Sequence, residues 1–155
     1  MIREKEYILL NKQLGNMMKN ESNEIAVLAN ASALLNEFLP EINWVGFYLK
    51  TEEGNLILGP FQGKIACMHI GFGKGVCGTA LKENRSIRVE DVHQFPGHIA
   101  CDCASNSELV IPLRDSRRQI RALLDIDSPI KNRFSEIDRI YLEEFCAILE
   151  KCIYD

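Results

Sequence analysis

Basic residues are the minority in this chain: 18 lysines and arginines stand against 22 aspartates and glutamates, for a net charge of −4. That balance offers no basic footprint for nucleic acid. No apolar run approaches the roughly 20 residues that a bilayer crossing needs. The start, Met1-Ile2-Arg3-Glu4-Lys5-Glu6, carries acids where a secretory leader would be basic and then apolar. These features predict a cytoplasmic protein with neither a nucleic-acid nor a membrane partner. Linkers rich in proline or serine and low-complexity tracts are also missing, and the only internal echo is the phrase Ile-Ala-Cys, at 65–67 and 99–101. A length of 155 residues fits one domain, 1–155, with a core of its own. Cysteine, in contrast, is plentiful, with six residues. In a reducing compartment, grouped cysteines point to catalysis, redox sensing or metal binding before structural disulfides.

Hydrophobic spacing predicts helices over Glu4–Met18, through Tyr7, Leu10, Leu14 and Met17, and over Ser22–Phe38, capped by Ser22 and stopped by Pro40. The period then changes. Trp44–Leu49 and Leu56–Leu58 read as strands around the turn Glu53-Gly54-Asn55, and Cys67–Ile70 as a third strand. A loop, Gly71–Gly75, leads into a short helix over Val76–Lys82, and Ser86–Val89 reads as a brief strand. The polar stretch 91–106 is a long loop, of the length that usually serves function. Leu109–Leu113 and Ile120–Ile126 are strands about a charged turn. A last helix begins near Ser135, where Asp138 completes a capping box. The predicted class is α+β, one central antiparallel sheet with helices packed on its faces.

Four thiols stand apart from ordinary core positions. Cys67 and Cys101 close the two Ile-Ala-Cys phrases, Cys103 follows two residues later, and Cys77 sits among glycines at the start of a short helix. A helix N-terminus favours a thiolate. Cys101 shares its loop with His93 and His98, whose imidazolium would favour the thiolate, whereas Asp102 would oppose it. Redox or nucleophilic sulfur chemistry and plain packing are both compatible with these positions. Cys146 and Cys152, in the last helix, read as small hydrophobic residues. The pair Cys101-x-Cys103 raises a zinc site, but the usual C-x₂₋₄-C pairs are absent. Gly73, Gly75 and Gly78 match G-x-G-x-x-G without a parallel βαβ context. A loop presenting N–H groups to a carboxylate is the better reading.

Glu108 precedes one strand, and Asp125 and Asp127 flank Ile126 at the end of another. Residues two apart on a strand share a face, and two buried carboxylates on one face force a proton onto one of them. Such a pair is either a solvated strand end or a proton-donating pocket wall. Trp44 and Tyr48 share a face of the first strand, with Gly46 between them leaving room for a small ligand.

The phrases Asn43-Trp44-Val45-Gly46-Phe47-Tyr48, Gly59 to Cys67, Gly73-Lys74-Gly75-Val76-Cys77-Gly78-Thr79-Ala80, Pro96-Gly97-His98-Ile99-Ala100-Cys101-Asp102, Ser105-Asn106-Ser107-Glu108 and Leu124-Asp125-Ile126-Asp127 together resemble the free methionine-(R)-sulfoxide reductases, enzymes built on a GAF domain. The resemblance implies reduction of the free R sulfoxide to methionine, with Cys101 as nucleophile, Cys67 as resolving thiol and Cys77 as the third family cysteine. It places substrate contacts at Glu108, Asp125 and Asp127 and an aromatic wall at Trp44 and Tyr48. It also implies recycling by thioredoxin or a similar dithiol and no metal or organic cofactor, and proteins of this family often form a homodimer. Cys103, a fourth thiol, departs from the family pattern and leaves open which thiol resolves Cys101. Gly71 stands where a proline is common, and Ala122 where a glycine is usual. The alternative is a GAF module that senses a small ligand without turnover.

Overall fold

A computed structural model describes residues 2–97 and 104–155. In chain order they form α1 (Glu4–Met17), α2 (Glu24–Phe38), β1 (Trp44–Lys50), β2 (Leu56–Gly63), β3 (His69–Ile70), α3 (Gly75–Glu83), β4 (Ile87–Val89), β5 (Ser107–Arg114), β6 (Ile120–Ser128) and α4 (Glu136–Ile153). A 3₁₀ turn over Val92–Gln94 lies within the stretch read from sequence as loop. The six strands make one sheet in the order β3-β2-β1-β6-β5-β4, antiparallel at every pairing. This is the α+β architecture that the alternating periods predict.

The sheet separates two apolar layers. Val45 and Phe47 of β1, Leu109, Ile111 and Leu113 of β5, and Ala122, Leu124 and Ile126 of β6 pack against α1, α2 and α4. The alternate residues Trp44, Tyr48, Val110 and Leu123 face the other way and pack with Val76, Cys77, Ala80 and Leu81 of α3. Strand alternation with period two thus sends each strand's residues to two different neighbourhoods. The helix layer is tied by a buried hydrogen bond, in which Tyr7 Oη donates to Asp138 Oδ1 at 2.5 Å. Asp138 also completes the capping box with Ser135 and pairs with Arg133 at 3.3 Å.

Several local expectations change. Asn23, not Ser22, caps α2, its Oδ1 accepting from Ala26 N–H at 2.9 Å. Met18 replaces Met17 in the core, and Ile25 is exposed, because the buried face of α2 runs through Val27, Leu28, Ala31 and Leu35. Strand β2 continues past Gly59-Pro60 to Gly63. The register slips between Gly46 and Tyr48, which places Gly59 and Pro60 in a bulge where a proline needs no ladder donor. Cys67 lies before β3 rather than in it, whereas Glu108 and Asp127 lie inside β5 and β6. Among the described residues, no helix is long and apolar enough to cross a membrane.

Candidate active site

The face of the sheet that carries α3 encloses a cavity with about 570 Å³ of empty space, mouth included. Register places its acids. Asp125 is opposite Gly46 on one side and Val110 on the other, and Asp127 is opposite Trp44 and Glu108. Three adjacent strands therefore turn Trp44, Tyr48, Glu108, Asp125 and Asp127 toward one space, and α3 closes it with Val76 and Cys77. Glu108 and Asp125 are both buried, at 7% and 6% exposure. One ligand atom from each of Cys77, Glu108 and Asp125 falls within 4.8 Å of the others.

Burial raises the Glu108 carboxyl well above the ordinary glutamate range, and the neighbouring Asp125 and Asp127 push it the same way. Its hydrogen bonds to both aspartates add to that shift, and together with burial they favour the protonated form of Glu108. Cys77 follows the same logic. Burial, then the charges of Asp125, Glu108 and Asp127, raise its thiol well above the ordinary range, and it hydrogen-bonds Asp125. The helix dipole favours a thiolate at this N-terminus, but desolvation and the three acids act against it. The Cys77–Glu108–Asp125 trio has the spacing to hold a cation, while the raised pKa of Cys77 and of Glu108 favours their protonated forms.

The aromatic wall is fixed by hydrogen bonds. Trp44 Nε1 donates to the Lys64 carbonyl at 3.1 Å, and Tyr48 Oη to the Cys67 carbonyl at 2.9 Å. Burial and then Asp125 raise the Tyr48 hydroxyl's pKa, so it stays a phenol. The rings of Trp44 and Tyr48 stack at 5.9 Å, and Phe61 stacks on Trp44 at 5.1 Å. Phe61 was not read from the sequence as part of the wall. It also fills the gap assigned there to a ligand, because a Cβ on Gly46 would stand 2.2 Å from Phe61 Cβ. The bulge brings β2 over that point.

The glycine loop packs against its own helix. Gly73 N–H donates to Gly78 C=O at 2.9 Å and Lys74 N–H to Gly71 C=O at 3.0 Å. These amides are not available to a ligand. Those of Gly75, Val76 and Cys77 precede the first intrahelical bond, from Gly78 N–H to Lys74 C=O, and no side chain caps them. All three residues line the cavity, so the anion-binding reading moves from the loop to the start of α3.

Cys67, partly exposed, is disulfide-bonded, and Cys77, Cys146 and Cys152 are free thiols. Cys101, Cys103 and His98 lie outside the described residues, and with them the expected pairing of Cys67 with Cys101. His93 contacts Asp91 at 3.1 Å. Cys146 is in the core, as its apolar neighbours predict. Ser105, which also lines the cavity, was not singled out from the sequence, although it opens the phrase Ser105-Asn106-Ser107-Glu108.

Residues 24–153 match the GAF domain family. Protein YtsP of Bacillus subtilis is 57% identical over 152 residues, 97% of this chain and 93% of that protein. The free methionine-R-sulfoxide reductase of Escherichia coli is 53% identical over 147 residues, 95% of this chain and 88% of its own. Among solved structures, fRMsr of Staphylococcus aureus in complex with substrate has a TM-score of 0.90 at 52% identity, covering 95% of each chain.

Proposed function

We propose that this chain, which belongs to the free methionine-R-sulfoxide reductase family of GAF domains, reduces the R epimer of free methionine sulfoxide to methionine. The observation that carries the reading is the buried Glu108, set beside two aspartates in an aromatic-walled cavity, where burial raises its carboxyl well above the ordinary range. A sulfoxide sulfur becomes electrophilic when its oxygen is protonated, and a carboxylic acid kept neutral at pH 7 can supply that proton.

In this mechanism the Cys101 thiolate attacks the sulfoxide sulfur while Glu108 protonates the oxygen. Transfer of that oxygen to the cysteine sulfur releases methionine and leaves a sulfenic acid. A thiol, assigned to Cys67, then attacks the sulfenic sulfur. A disulfide forms, and the hydroxyl leaves as water. Two thiols have given up two electrons and two protons, and thioredoxin or a similar dithiol restores them by exchange. Cys77 contributes as a protonated donor to Asp125, not as a thiolate. The uncapped amides of Gly75, Val76 and Cys77 suit the substrate carboxylate, and Asp127 suits its ammonium group. Holding both charged ends would exclude peptide-bound residues.

The test couples the protein to thioredoxin, thioredoxin reductase and NADPH. Free methionine-(R)-sulfoxide should drive NADPH oxidation and release methionine, whereas the S epimer and a blocked peptide sulfoxide should not. Binding of the R sulfoxide without NADPH consumption would instead mark a sensory module.

A further inference from the structure

Ser105 is a buried hydroxyl at 6% exposure that lines the cavity two residues before β5 begins. Its Oγ accepts from Asn43 Nδ2 at 3.1 Å. That is its one side-chain hydrogen bond among the described residues. A hydroxyl can accept twice and donate once. With a lone pair engaged by the Asn43 amide, the O–H is left to point elsewhere, and a buried donor without an acceptor is costly. Three other side-chain donors on the wall are already committed: Trp44 to the Lys64 carbonyl, Tyr48 to the Cys67 carbonyl and Cys77 to Asp125.

Asn43 is well placed to aim this group. Its backbone N–H donates to the Asp127 carbonyl at 2.9 Å, which anchors it beside the acid opposite Glu108. Its side chain then crosses 62 positions of sequence to Ser105. The amide ties the entry of β1 to the entry of β5, the two strands that carry Trp44 and Glu108.

We propose that Ser105 contacts the substrate, donating its hydroxyl hydrogen to an oxygen of the bound amino-acid sulfoxide, and that Asn43 is the positioning residue that turns the hydroxyl into the cavity. This rests on the reductase reading for the identity of the ligand. It adds a neutral donor to a wall otherwise dominated by acids.

Ser105→Ala should lower kcat/KM for free methionine-(R)-sulfoxide about 2- to 10-fold, the range for losing one hydrogen bond. Asn43→Ala should cause a smaller loss, since the hydroxyl remains but is no longer aimed. The double variant should be no worse than Ser105→Ala, because the proposed role of Asn43 runs through Ser105. Calorimetric binding of the same sulfoxide, on all four proteins, reads the contact without catalysis. Binding by the wild type without turnover would sink the reductase reading while still measuring the contact. Unchanged binding and unchanged kcat/KM in Ser105→Ala would overturn the proposal. So would losses that multiply in the double variant, because Asn43 would then act independently of Ser105.

Discussion

Glu108 of β5 and Asp127 of β6 stand directly opposite one another in the antiparallel ladder. Like charges at such a pair are destabilising, and a hydrogen bond between the two carboxyls resolves the conflict with one proton. The proton stays because Glu108 is buried and Asp125 lies beside it.

That proton has a measurable cost. The folded-state pKa of Glu108 is raised above the ordinary value of 4.5. The folded protein therefore holds a proton that the unfolded chain releases, and stability falls as pH rises from about 4.5 through the folded value. Glu108→Gln keeps the shape and cannot ionise. Its melting temperature should gain on the wild type as pH rises across that window, in thermal scans between pH 4 and 9. Curves that stay parallel would mean the carboxyl is not perturbed.

The same substitution separates stability from chemistry. Glu108→Gln and Asp125→Ala should each reduce turnover on the order of 10²- to 10⁴-fold, the usual contribution of general-acid catalysis. Wild-type rates in both would remove the acids from the mechanism.

Methionine released in a single turnover distinguishes the thiols. Cys101→Ser should release none, because serine is a poor nucleophile toward sulfur. Cys67→Ser should release about one methionine per protein and then recycle slowly, because the sulfenic acid forms before a resolving thiol is needed. The opposite pattern would exchange the two roles.

Cys77 should resist alkylation in the reduced, folded protein, since its thiol is buried and protonated. Partly exposed Cys152 should react with iodoacetamide before Cys77 and Cys146. Peptide mass spectrometry over a time course gives the order, and early labelling of Cys77 would show an open cavity floor.

Two glycines should respond in opposite directions to alanine. At Gly78 a Cβ would meet Gly71 O at 2.4 Å, backbone against backbone. Gly78→Ala should therefore cost about 1–3 kcal/mol. At Gly15, inside α1, nothing lies within 4 Å of the added carbon, and Gly15→Ala should stabilise by about 0.5–1 kcal/mol. Urea denaturation measures both.

Residue spacing and motif phrases alone reveal most of the elements and the chemical inventory. Helical spacing located α1, α2 and α4, the aromatic run located β1, and the motif phrases named the acids and the family. These are local signals, carried by residues a few positions apart. Tertiary structure decided what those groups are. Cys77 sits in sequence where a helix N-terminus would favour a thiolate, and burial and acids from β5 and β6 push its thiol the other way. The space beside Gly46 reads as a ligand approach and is filled by Phe61, because a bulge in β2 shifts the register. Ser105 acquires its partner from a residue 62 positions away. Protonation, cross-strand register and hydroxyl direction depend on neighbours that the folded sheet brings together, and no local pattern of residues records them.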